Sequence, residues 1–249
     1  MSRGARRLES RPGMSRKPVA MLHADEWRLS DGEVHYLWWY IQGSIMEPDL
    51  RWRLRRAWGM CARHAWGALL AEASYRHGYL HGPAILYEDL TARALQAFAV
   101  RGPRKARRAA RRLRATAPCP MCEMDLQARD GGAARVDRLR AGRDPRALRH
   151  VAARARPYWR PMVCGRCADR SSPVRCRIHF REDVFHGSGA DVEAQRTLLE
   201  RIARHLVVCV RSFVWGHHGT ATDEDRAALI GAVGWCSGWR GLLTLEPGP

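Results

Sequence analysis

The feature that most constrains this chain is a set of short steps in which two metal-ligating residues stand two residues apart. Cys119 and Cys122 form one such step and Cys164 and Cys167 another, while Cys61 with His64 and Cys176 with His179 place an imidazole at the second position. Two donors at this spacing reach one ion from a single tight turn, and zinc favours four tetrahedral thiolate and imidazole ligands, so two steps complete a site. The spacing leaves two arrangements open. In one, Cys164, Cys167, Cys176 and His179 make a local site, and Cys119 and Cys122 join Cys61 and His64 at long range. In the other, Cys119 and Cys122 pair with Cys164 and Cys167, or with Cys176 and His179, and the remaining steps pair with Cys61 and His64 or stay empty. Either way the expected cofactor is zinc, one or two ions. Arg160, Arg166 and Arg177 stand close enough in sequence to offset the charge of bound thiolates.

The setting supports metal over disulfides. No run of about 18 apolar residues occurs, and Met1-Ser2-Arg3-Gly4-Ala5-Arg6-Arg7 lacks the apolar stretch of a secretory signal. The chain therefore reads as cytoplasmic with no membrane partner, a compartment in which eight cysteines favour ligation or thiol chemistry. Cys209 and Cys236 fall on apolar helical faces and read as buried thiols.

Periodicity predicts a mainly α fold. Val34, Leu37, Trp38, Ile41 and Ile45 recur at helical spacing between Glu33 and Met46, ahead of Pro48. Further helices are expected from Asp49 to Trp58 and from Ala62 to Tyr75, with Gly59 and Gly78 as breaks. Another follows Pro83, where Leu86, Leu90, Ala94 and Phe98 share a face. Leu199, Ile202, Leu206, Cys209 and Phe213 form the seam of a long helix, and Thr222 with Asp225 opens the last one in a capping-box arrangement.

Residues 1–17 read as a basic, poorly ordered arm. The segment 18–100 reads as a first helical unit, 101–117 as a basic linker helix, and 118–249 as a second unit with the zinc-binding cysteines. The two units look like a degenerate duplication of about a hundred residues. Lys17-Pro18-Val19-Ala20 precedes Cys61 much as Cys119-Pro120-Met121-Cys122 precedes Cys164, with Lys17 and Ala20 where cysteines stand in the second unit.

The formal charge is +18, and all but Lys17 and Lys105 of the 43 basic residues are arginine. Between Arg101 and Arg114 there is no acid, and the run predicts a helix that is positive nearly all round. Arg104, Lys105, Arg107, Arg108, Arg111 and Arg112 are its candidate polyanion-binding residues, the expected partner being nucleic acid or an acidic protein.

Familiar catalytic signatures are missing. Pro118-Cys119-Pro120-Met121-Cys122 matches half of a zinc deaminase motif, but the chain contains no His-x-Glu to supply the proton shuttle. There is no His-Glu-x-x-His step, no phosphate-binding glycine loop and no Gly-x-Ser-x-Gly elbow. Glu88 and Asp89 are adjacent and diverge on a helix, and His217 and His218 lie in a glycine-flanked turn. The reading that remains is a zinc-stabilised helical interaction module with no catalytic residue assigned. Its alternative is a metal- or thiol-dependent enzyme, or a redox or zinc sensor, using a Cys-x-x-Cys pair.

Taken together, Gly59-Met60-Cys61-Ala62-Arg63-His64-Ala65-Trp66, Ile85-Leu86-Tyr87-Glu88-Asp89-Leu90 and Cys119-Pro120-Met121-Cys122 resemble an uncharacterised prokaryotic family of unknown function. The resemblance covers roughly residues 17 to 240. It implies two helical units, each with a Cys-Pro-x-Cys step followed by Gly-x-Cys-x-x-His, the first degenerate here, and it brings no activity.

Overall fold

The computed structural model describes residues 29–75, 80–129, 132, 134–187 and 189–245. Helices make up most of them, and no strand occurs among them. The basic arm at 1–17, the Lys17–Ala20 step on which the duplication rests and the Gly78 break lie outside the described residues.

Among the described residues twelve α-helices follow one another: α1 (Asp31–Ile41), α2 (Pro48–Ala57), α3 (Ala62–Ala73), α4 (His81–Phe98), α5 (Lys105–Arg112), α6 (Pro120–Glu123), α7 (Val136–Ala141), α8 (Arg146–Trp159), α9 (Arg177–His186), α10 (Val192–Arg211), α11 (Asp223–Ser237) and α12 (Arg240–Leu245). Helix α1 ends before the expected Met46. Gly43 turns the backbone to a φ of 149°, and Ser44–Met46 forms a separate 3₁₀ turn. Helix α2 stops where Trp58 takes up a left-handed conformation, with the Gly59 amide closing back on the Leu54 carbonyl at 2.8 Å.

The core is organised around α11. Its sequence is rich in alanine and glycine, and it is buried almost all round, so no single apolar stripe is needed. Helices α4, α8 and α10 pack along it. A Cβ on Gly234 would sit 2.4 Å from the Trp239 ring, so glycine here is what lets that ring lie against the helix backbone. Trp58, Trp66, Trp159, Trp235 and Trp239 are all fully buried, and truncating a residue of this kind to alanine costs about 3–5 kcal/mol. The predicted face of α4 is observed, with Leu86, Leu90, Ala94 and Phe98 buried; on α10 Leu199, Ile202, Leu206 and Cys209 are buried, while Phe213, expected to continue that seam, lies past the end of the helix and is only partly buried. Thr222 and Asp225 form the expected capping box. Burial pushes the Cys209 and Cys236 thiols up to about 12, in keeping with inert core residues.

One apolar core runs through the chain from Leu29 to Leu242. Its polar ties cross the sequence: Trp66 donates to the Gly238 carbonyl at 2.9 Å, and Ser237 to the Met60 carbonyl at 2.8 Å. A buried carboxylate, Glu72 on α3, accepts the Gly82 amide at 3.1 Å at the start of α4. Burial raises its pKa to about 7 against the opposing backbone hydrogen bonds of Gly82 and His81.

Candidate metal centres and basic face

Each Cys-x-x-His step is built in the same way. Cys61 and Cys176 are the N-cap residues of α3 and α9, both in extended conformation, so His64 and His179 fall on the first helical turn and face back toward the cysteine. Cys119 is in turn the N-cap of the short α6, which carries Cys122. In the first group the His64 amide acts on the Cys61 sulfur and the Cys122 amide on the Cys119 sulfur, each favouring the thiolate.

The structure brings the eight predicted ligands together as two groups of four. One holds Cys61, His64, Cys119 and Cys122; the other holds Cys164, Cys167, Cys176 and His179. This is the arrangement with one long-range and one local set, and neither Cys119 nor Cys122 meets the second-half cysteines. Within the first group His64 Nδ1 lies 3.3 Å from Cys61 Sγ and 3.4 Å from both Cys119 Sγ and Cys122 Sγ, while Cys61 and Cys122 are 3.8 Å apart. In the second, His179 Nδ1 lies 3.3 Å from Cys164 and 3.4 Å from Cys167 and Cys176, with Cys167 and Cys176 3.9 Å apart. No disulfide joins any of these cysteines. Both groups could hold a metal ion.

Behind the first group stands a residue that sequence reasoning missed. Glu33 accepts from His64 at 2.8 Å, from Arg63 at 2.6 Å and from the Ser30 backbone amide at 2.6 Å, and its side chain is fully buried. It is also the third residue of α1 and completes the Ser30 capping box. The signature Ser30-x-x-Glu33 is visible in the sequence, but nothing local connects it with an imidazole 31 residues away. A carboxylate on the far ring nitrogen fixes the tautomer that leaves Nδ1 free to ligate. Burial acts to raise the Glu33 pKa, but hydrogen bonds from His64 and Arg63 prevail and hold it at about 2.

The second group is braced differently. The turn Cys164–Arg170 is closed by the Cys167 amide on the Cys164 carbonyl at 3.0 Å and the Arg170 amide on the Gly165 carbonyl at 2.9 Å. A Cβ at Gly165 would meet the Arg170 carbonyl at 2.7 Å. Buried Asp183 on α9 accepts from Arg166 at 2.7 Å and Arg175 at 2.6 Å, clamping the loop to its helix. Gln195, buried on α10, holds the same loop through the Pro173 carbonyl at 3.2 Å and the Arg175 amide at 3.4 Å. Among the described residues His179 Nε2 has no carboxylate behind it.

Protonation follows from this crowding. Hydrogen bonds from neighbouring thiols push Cys119 and Cys164 down, while their partners Cys61 and Cys176 are pushed up. Burial acts to lower both histidines, yet hydrogen bonds to cysteine, and for His64 to Glu33 as well, raise each to about 9. Of the arginines expected to offset thiolate charge, Arg166 lies within electrostatic reach of Cys164 and Arg177 of Cys176, and both are also held by other groups. Arg166 pairs with Asp183 and Glu182, and buried Arg177 donates to the Cys236 and Leu113 carbonyls at 3.0 Å each.

The basic run departs from its expected form. Ala109, Ala110 and Leu113 are buried and Ala106 partly so. These residues give α5 an apolar face that docks on α4 and α9, where a helix positive on all sides was expected. Arg181 seals the contact by donating to the Ala110 carbonyl at 3.0 Å. Small side chains make this face easy to overlook beside so many charges. Docking turns the arginines outward: Arg101, Arg104, Arg107, Arg108, Arg111, Arg112 and Arg114 are exposed, and none has a carboxylate partner among the described residues. Lys105 is the exception, paired with Glu193 at 2.8 Å.

Among the described residues no helix is long and apolar enough to cross a membrane. Comparison with family models, with curated proteins and with solved structures finds no match for this chain.

Proposed function

We propose that this chain is a zinc-stabilised helical interaction module that holds polyanions, nucleic acid foremost, against the exposed arginines of residues 101–114. The observation that carries the reading is the geometry of the two donor groups. A tetrahedral zinc with sulfur at about 2.3 Å and nitrogen at about 2.0 Å has sulfur–sulfur edges near 3.8 Å and sulfur–nitrogen edges near 3.5 Å. The measured separations of 3.8 and 3.9 Å between sulfurs, and of 3.3–3.4 Å from imidazole to sulfur, fit that polyhedron. Three thiolates and one imidazole fill all four positions, the donor set of structural zinc. The ion then anchors a scaffold on which α5 presents unpaired guanidinium groups, which attract phosphate as a single-sign field.

Elemental mass spectrometry is expected to give two zinc ions per chain. Affinity for a mixed-sequence nucleic acid should fall steeply and log-linearly with salt, because each neutralised phosphate releases counterions. Replacing Arg104, Arg107, Arg108 and Arg111 together by glutamine should flatten that slope, and an unchanged slope removes the stripe from the binding site.

A thiol sensor is the second reading, and it rests on Cys122, which is exposed and 3.8 Å from the Cys61 sulfur. Reversible oxidation of the metal-loaded protein by mild oxidants would favour it; thiols that stay protected until a chelator is added exclude it.

A further inference from the structure

A second surface continues the basic face and differs from it in chemistry. On α2, Leu50 and Leu54 point into the core; beyond Pro48 and Asp49 at its start, the outer side carries Arg55, the half-buried Arg51, Arg53 and Arg56, and Trp52, which is 58% exposed. The Arg56 guanidinium lies over the Trp52 ring, 4.5 Å from its centroid. Arg56 is itself tied down, donating to the Thr116 hydroxyl at 3.4 Å and the Thr116 carbonyl at 3.2 Å. One face of the indole is therefore backed by a fixed cation, and the ring is ordered before any ligand arrives. Trp39 on α1 is 48% exposed and tilts against Tyr36 with ring centroids 5.3 Å apart. Arg53 lies within electrostatic reach of the Tyr36 hydroxyl and is held by Glu123 of α6 at 2.7 Å.

This surface is joined to the α5 stripe through the backbone. The Thr116 amide donates to the Arg56 carbonyl at 2.9 Å, and the Trp58 indole donates to the Arg114 carbonyl at 3.2 Å. The chain leaving α5 thus runs directly onto α2, which places the end of the 104–114 stripe next to the helix that carries Arg56 and Trp52. Phosphate-attracting cations are followed by an exposed aromatic ring with a guanidinium over one of its faces.

We infer that the occupant of this continuous surface is a single-stranded nucleic acid, its phosphates along α5 and a base stacked on Trp52. Charge alone fits any polyanion, whereas an exposed indole beside the charge track adds affinity only for a ligand with free π-faces. Duplex bases are already stacked on one another, and an acidic peptide has no base to offer. The ring backed by Arg56 resembles the aromatic and guanidinium platforms on which unstacked bases lie. This inference rests on the polyanion reading above and is tested so that the two can fail separately.

The experiment uses the full, metal-loaded chain with four probes: oligo-dT and oligo-U of about twelve nucleotides, within the usual range for such sites, a DNA duplex of the same length, and heparin. Single strands should bind more tightly than the duplex at equal salt. Trp52→Ala, at an exposed position, should lower single-strand affinity roughly 5- to 100-fold and leave duplex and heparin binding unchanged. Trp52→Phe should recover part of the loss. If Trp52→Ala leaves single-strand binding intact, or weakens all four probes equally, the stacking platform is overturned and the polyanion reading stands. If poly-glutamate, added as an acidic-peptide competitor to the four probes, displaces the oligonucleotides at equal concentration, the nucleic-acid assignment is overturned. If no probe binds, both readings fall.

Discussion

The two four-donor groups share a local device and differ in reach. In both, a cysteine caps a helix and a histidine on its first turn completes the set. The second group closes within 15 residues, from Cys164 to His179, whereas the first joins Cys61 to Cys122 across 61. The second is braced by its own helix through Asp183 and by α10 through Gln195; the first is braced by α1 through Glu33. The same donor set thus belongs to a single loop and helix in one place and brings separated segments of chain together in the other.

The largest expected effect tests that difference directly. Cys119→Ala and Cys167→Ala should each reduce the metal content from two ions to one, with a loss bounded by the roughly 10–16 kcal/mol apparent for structural zinc in peptides. Loop closure scales with the logarithm of loop length, so the longer tie should be worth about 1 kcal/mol more. Urea denaturation of the two variants should place Cys119→Ala lower, and identical midpoints would break the distinction between local and long-range sites.

A second effect, of a few kcal/mol, belongs to the helix that carries the first group. Glu72 has a folded pKa near 7 against an ordinary 4.5, so the native state holds its proton more tightly than the unfolded chain does. Stability should fall as pH rises from about 4.5 through 7. In Glu72→Gln that component of the slope should vanish, as read by denaturation midpoints across the range; an unaltered slope would exclude Glu72 as its source.

Next comes the brace behind the first site. Glu33→Gln should weaken metal at that group by about 10- to 100-fold and leave the other untouched. Competition with a chromophoric chelator would then resolve one weak and one tight class, and two equal classes would sever Glu33 from the metal.

Smallest is Gln195→Ala, expected to cost about 1 kcal/mol and to act locally. Amide exchange should accelerate in residues 164–176 and not around 61–64; protection lost equally at both places would deny the second group its separate bracing.

How far these features were legible depends on how local they are. The cysteine steps, the buried faces of α4 and α10 and the Thr222 cap are written in spacings of a few residues, and they predict a mainly helical protein with one or two metal-binding groups. The pairing of Cys119 and Cys122 with Cys61 and His64 is not so written. It depends on the path taken by α3, α4 and α5, and so on packing around α11. Glu33 shows its capping role locally and its role behind His64 only in three dimensions. The α5 face was legible in principle, since Ala106, Ala109, Ala110 and Leu113 follow helical spacing; charge masked it because alanine contributes so little area.

The double duty of Glu33 has a consequence for how the molecule responds to its surroundings. A single carboxylate begins α1 and hydrogen-bonds the imidazole of the first donor group, so a metal bound at that group would be thermodynamically linked to the docking of α1. Linkage is reciprocal: whatever factor the metal contributes to seating α1, a seated α1 returns to the affinity for the metal. A molecule that engages the outer face of α1, where Trp39 stands, would therefore register at the ion without touching it, and loss of the ion would register at that face.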